Sequence, residues 1–93
     1  MHIGVLTLHI AIEEAGSLKE KRHAVHSLLG RIRSRFPVSI AEVDDLDLWR
    51  HAVLGAAMVS NDAALCHKVL EKVADFVEGD GRVVLEDYAI EML

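Results

Sequence analysis

Two hydrophobic periods alternate along this chain, and their order restricts the folds open to it. From Ile3 to Ile12 Leu6, Leu8 and Ile10 point to one side and Thr7, His9 and Ala11 to the other, the period of a half-buried strand. From Leu18 the period becomes helical: Leu18, Val25, Leu28, Leu29, Ile32 and Phe36 fall within about 100° of arc at 3.6 residues per turn. Ser17-Leu18-Lys19-Glu20 has the make-up of a capping box, in which hydroxyl and carboxylate each satisfy an N–H left unpaired where a helix begins. Pro37 stops that helix.

The second half repeats the alternation. Val38 to Val43 is a short β-branched run, Asp44-Asp45-Leu46-Asp47-Leu48 is a polar link, and Trp49 to Ser60 is a second extended run, together reading as a hairpin. Ser60-Asn61-Asp62 offers N-cap chemistry to a second helix with a stripe of Leu65, Cys66, Val69, Leu70, Val73, Phe76 and Val77, ending at Gly79. Gly79-Asp80-Gly81 is a turn into a last strand, Val83 to Leu93, with Tyr88, Ile90 and Met92 towards the core. The order is βαββαβ. Right-handed crossovers place both helices on one face of a four-stranded antiparallel sheet, so the expected fold is a single α+β domain over residues 1–93, a ferredoxin-like sandwich.

Such a sandwich leaves the other sheet face open. In the run to Ser60, Leu54, Ala56 and Met58 alternate with Val53, Gly55, Ala57 and Val59, so this strand is apolar on both sides. Apolar residues make up 52% of the chain and aromatics only 4%, an excess carried by Ala, Val, Leu and Ile. A homo-oligomer that buries Val53, Gly55, Ala57 and Val59, with Trp49 at its margin as either a core lid or an exposed anchor, accounts for that surplus.

Charge is unevenly spread. The net charge is −5, yet Ser17 to Phe36 carries Lys19, Lys21, Arg22, Arg31, Arg33 and Arg35 against the single acid Glu20. Lys19, Arg22, His23, His26 and Arg33 share about 100° of the first helix, turned away from its apolar stripe. A phosphate backbone, as of RNA or the ribosome, could lie along that face; the alternative is a solvated face whose cations pair with the acidic remainder. Ile3 to Ile12 and Ala52 to Ser60 contain no aromatics, which excludes the base-stacking mode of RNA-recognition motifs. A carboxylate in an apolar strand needs a partner, and Lys21, at the edge of the apolar arc, is the candidate for Glu42.

Other chemistries lack their residues. Cys66 is the only cysteine and falls mid-stripe, so disulfides and paired-thiol sites are excluded and an inert buried thiol is expected. His23 and His26 have no third ligand at a recognisable spacing, and Asp44, Asp45 and Asp47 lack the EF-hand pattern, so neither metal nor cofactor is expected. His67 and Glu71 are spaced as a surface helix pair. With no signal peptide or apolar run of spanning length, the expectation is a soluble cytoplasmic protein without a membrane anchor. A small enzyme would have to draw on Glu42, Trp49, His9 and Ser60-Asn61-Asp62 across an oligomer interface.

The segments Ser17-Leu18-Lys19-Glu20-Lys21-Arg22, Ala41-Glu42-Val43, Asp47-Leu48-Trp49, Leu54-Gly55 and Val59-Ser60-Asn61-Asp62 resemble, in this order and over nearly the whole chain, the bacterial YlxP-like family of small domains of unknown function. The resemblance implies the same βαββαβ fold. It also implies a loose connection to RNA or the ribosome, because members are often encoded near transcription- and translation-factor genes. The acidic Asp44-Asp45 departs from the Gly-rich or neutral turn expected there. Taken together, the expectation is a non-enzymatic binding domain that associates through its open sheet face and offers its basic helix to RNA, or else a protein-binding dimer with no nucleic-acid role.

Overall fold

The computed structural model describes residues 1–93 as β1 (His2–Ala11), α1 (Leu18–Arg35), β2 (Ser39–Asp44), β3 (His51–Ser60), α2 (Ala63–Glu78) and β4 (Val84–Met92). The strands form one antiparallel sheet in the order β2-β3-β1-β4, with both crossover helices on the same face. This is the ferredoxin-like α+β arrangement expected from the periodicity. No helix is long and apolar enough to cross a membrane.

The helix caps are local consequences of sequence. Ser17 is the N-cap of α1 and its Oγ accepts from the Glu20 N–H at 3.1 Å; the Glu20 carboxylate reaches back to Gly16 N–H, one residue before the partner a capping box uses. Asp62 caps α2 by accepting from the Leu65 N–H at 3.1 Å. The helix-covered face of β1 and β3 presents Leu6, Leu8, Ile10, Ala52, Leu54, Ala56 and Met58, all buried, against Val25, Leu28, Leu29 and Ile32 of α1 and Cys66, Leu70, Val73, Ala74 and Val77 of α2. Gly4 allows the close approach of α2 to β1, since a Cβ there would meet Leu70 Cδ1 at 2.7 Å and Cys66 Sγ at 2.8 Å.

Three expectations need correction. Leu65 is exposed, because the buried arc of α2 is centred near Val77 and takes in Ala74; Leu65 lies well over a quarter turn away. Tyr88 and Met92 do face the helix side, opposite Leu8 and Gly4, but β4 is an edge strand with little helix above it and both stay substantially exposed. Trp49 precedes β3 and lies in the β2–β3 turn, 54% exposed, so it is no core lid. Phe36, by contrast, packs edge-on against Phe76 with ring centroids 5.9 Å apart, joining the end of α1 to α2.

Leu28 is fully buried at the centre of the α1 contact. Leu28→Ala is expected to lower unfolding stability by about 2–5 kcal/mol, measured by urea denaturation.

Candidate functional site

Alternation along the strands settles what lies on the open face. Opposite the core residues, β3 shows Val53, Gly55, Ala57 and Val59; β1 sets Ile3, Val5, Thr7 and His9 beside them; β2 adds Ala41 and Val43. Val59 is 61% exposed and Val43 55%. Ala57 is exposed, whereas Val53 belongs to this face yet is largely covered by its neighbours. Val43 leans over Gly55, where a Cβ would meet its Cγ1 at 3.1 Å. The result is a shallow apolar trough of about 280 Å³, lined mainly by Val5, Ala41, Val43, Gly55 and Ala57.

The basic helix is less free than its charge suggests. Lys21 is completely buried, its Nζ 2.5 Å from Glu42 Oε2 and donating to the carbonyls of Asp45 at 2.8 Å and Leu46 at 3.4 Å. The pairing expected between Lys21 and Glu42 is therefore present. The ammonium thereby ties α1 to the β2–β3 turn as well. Arg31 pairs with Asp80 at 2.5 Å; Arg33 donates to the Ile40 carbonyl at 2.6 Å; Arg35 lies over the Phe76 ring, 5.0 Å from its centroid. Burial works to raise the pKa of Asp80, but the Arg82 N–H and the Arg31 guanidinium outweigh it and hold the carboxyl below its ordinary value.

Of the five residues expected to form a basic face, Lys19, Arg22, His23 and His26 are exposed and make no side-chain hydrogen bond or ion pair within the chain, while Arg33 is committed to the backbone of β2. Arg22, His26 and Arg33 line a groove of about 300 Å³ with Val25, Leu29 and Glu42, and His23 faces a second one with Glu14, Glu20 and Arg82.

The residues of the enzyme alternative are spread out within one chain. Ser60 pairs with His2 and His9 with Val53, so the two lie about 23 Å apart along β1 at 3.3 Å per residue. Ser60 Oγ accepts from the Asp62 N–H, and Asp62 is occupied as a helix cap. Cys66 is buried with its thiol directed at the Met58 carbonyl, and His67 meets Glu71 at 2.9 Å on the surface.

One cluster escaped the sequence reading. His51 bridges Asp45 Oδ2, 2.7 Å from Nδ1, and Glu86 Oε1, 2.8 Å from Nε2. Asp45 has φ 59°, a left-handed conformation in which Asp is among the tolerated residues. The turn therefore takes, with an aspartate, the backbone shape for which glycine was expected. Its carboxylate is held by His51 and its carbonyl by Lys21.

Residues 3–90 match the DUF503 family, described as a protein of unknown function. An uncharacterized protein, YlxP, of Bacillus subtilis (strain 168) is 37% identical over 76 residues, covering 82% of this chain and 83% of that protein. Among solved structures, a de novo designed protein, Foldit4, superposes with a TM-score of 0.54 at 9% identity, over 100% of this chain and 97% of the other, a likeness of fold alone.

Breaking the buried pair leaves Glu42 half-buried without its cation. Lys21→Met is expected to cost about 3–5 kcal/mol. The double variant Lys21→Met/Glu42→Leu is expected to recover part of it. Denaturant midpoints read both, and a single variant as stable as wild type contradicts the assignment of Lys21 as the tie between helix and turn.

Proposed function

The chain belongs to the DUF503 family of unknown function, to which YlxP-like proteins belong, and we propose that it is a non-enzymatic binding domain that self-associates through its open sheet face. The observation that carries this reading is the apolar trough over Gly55 and Ala57 with Val43 and Val59 standing exposed beside it. The strands have 10, 6, 10 and 9 residues, and at ~3.3 Å per residue and ~4.8 Å between strands they give a face of roughly 550 Å² per copy. Two such faces reach about 1,100 Å², above the ~1,000 Å² that separates specific interfaces from incidental contacts. The distribution also suits an interface, with aliphatic residues central and His9, His51, Asp87 and Glu91 towards the ends and the β4 edge.

Binding of RNA or a ribosomal partner by α1 is a second reading, and the free cations Lys19 and Arg22 with His23 and His26 are what support it. It is the weaker of the two. Lys21 and Arg31 are paired with Glu42 and Asp80, and Arg33 and Arg35 are held against the Ile40 carbonyl and the Phe76 ring, so four of the six cations of this segment are engaged within the fold.

Ala57→Glu places a charge at the centre of the open face with no core contact to disturb. It is expected to reduce the mass in sedimentation equilibrium to that of a single chain, with the circular dichroism unchanged; an unchanged oligomer contradicts this use of the face. Co-sedimentation with bulk RNA and ribosomes across a salt series separates the second reading. Binding that falls steeply with salt and is lost in Lys19→Glu/Arg22→Glu supports it, and no binding at low salt removes it.

A further inference from the structure

His51 stands where three elements meet. It is the first residue of β3, opposite Ala11 at the end of β1; Asp45 reaches it from the β2–β3 turn and Glu86 from β4. Glu86 is available because the β1–β4 register shifts between His9 and Ile10: His9 pairs with Asp87 and Ile10 with Leu85, leaving Glu86 as the extra residue of a bulge. Both ring nitrogens face carboxylate oxygens at hydrogen-bond distance. A carboxylate only accepts, so both contacts are satisfied when both nitrogens carry protons, which is the imidazolium; a neutral ring has one donor and turns a lone pair on the other carboxylate.

We propose that His51 is a proton-operated clamp: as an imidazolium it fastens the β2–β3 turn to the β4 bulge, and on losing its proton it releases one of the two carboxylates. Glu86 is the more exposed partner, 49% against 31% for Asp45, and Asp45 is further fixed through its carbonyl by Lys21, so Glu86 is the one that leaves. The clamp operates within one chain and needs no second copy.

The charged surroundings favour the closed state. The hydrogen bond from Asp45 raises the pKa of His51 most, partial burial opposes it, and the Glu86 bond and both carboxylate charges raise it further, so the net direction is up from 6.5. Asp44 from β2 and Asp87 from β4 add negative charge nearby, and His9 from β1, its ring centroid 6.2 Å away, opposes protonation when it is itself charged. A folded-state pKa above the unfolded value stabilises the fold fully below about 6.5, and that contribution disappears as pH rises through the raised value. Release is therefore a response to alkalinity. The turn that is freed on one side carries Leu46, Leu48 and Trp49, all exposed.

Trp49 is the only tryptophan, so its emission reports on this turn. The test combines NMR titration of the His51 ring with Trp49 fluorescence over the same pH range, in wild type, Glu86→Gln and Asp45→Asn. The clamp predicts a His51 midpoint above 6.5 in wild type, lowered in both variants, with a fluorescence change at the wild-type midpoint that is absent in His51→Gln. A wild-type midpoint at or below 6.5, or one unmoved by either variant, overturns the clamp; a Trp49 signal that persists unchanged in His51→Gln overturns the link to the turn.

Discussion

One-sided coverage is the constraint from which the rest of this molecule follows. Crossovers in such sheets are right-handed, which puts α1 and α2 on the same face, and the chain has no third helix for the other. The covered face is a conventional core of aliphatic residues from all six elements or their flanks. The uncovered face is not polar in compensation, as an exposed antiparallel sheet usually is. It carries Val5, Ala41, Val43, Ala57 and Val59, and this mismatch between pattern and exposure is the observation from which self-association is proposed.

The second organising contact is Lys21. A fully buried lysine is costly unless its charge and donors find partners, and here the Glu42 carboxylate supplies the counter-charge and the carbonyls of Asp45 and Leu46 accept its hydrogen bonds. The same bonds position Asp45 in its left-handed conformation, with its carboxylate directed at His51 and, through His51, linked to Glu86. A helix residue thus governs the geometry of a turn 24 positions further on and, through it, the far edge of the sheet. The acidic link, which by charge alone looks like a solvated loop, is in fact tied down from two sides.

The fold was legible because its signals are periodic and local: the change from a period of two to 3.6 at Leu18, the caps at Ser17 and Asp62, and the stop at Pro37. The Lys21–Glu42 pair was legible too, since a carboxylate within an apolar strand requires a partner. What failed depended on position in space. Leu65 fits a loosely drawn helical arc and yet lies outside the true one, and Tyr88 and Met92 face the correct side of a strand that turned out to be a sparsely covered edge. The His51 cluster joins residues 45, 51 and 86 through a bulge in β4, and no periodicity marks a bulge in advance. The partners of Lys21 and Arg31 were not all legible for a related reason: the acids that occupy them are 21 and 49 residues away in the chain, and only the Glu42 pairing was marked by its apolar strand.

The central claim is that a second copy covers the open sheet face, and contacts between copies read it most directly. In a mixture of isotope-labelled and unlabelled chains, isotope-filtered NOE spectra are predicted to show intermolecular cross-peaks from the methyl groups of Val5, Val43, Ala57 and Val59. Cross-peaks confined to the outer surfaces of α1 and α2, or none at concentrations where the protein sediments as a single chain, would contradict the account.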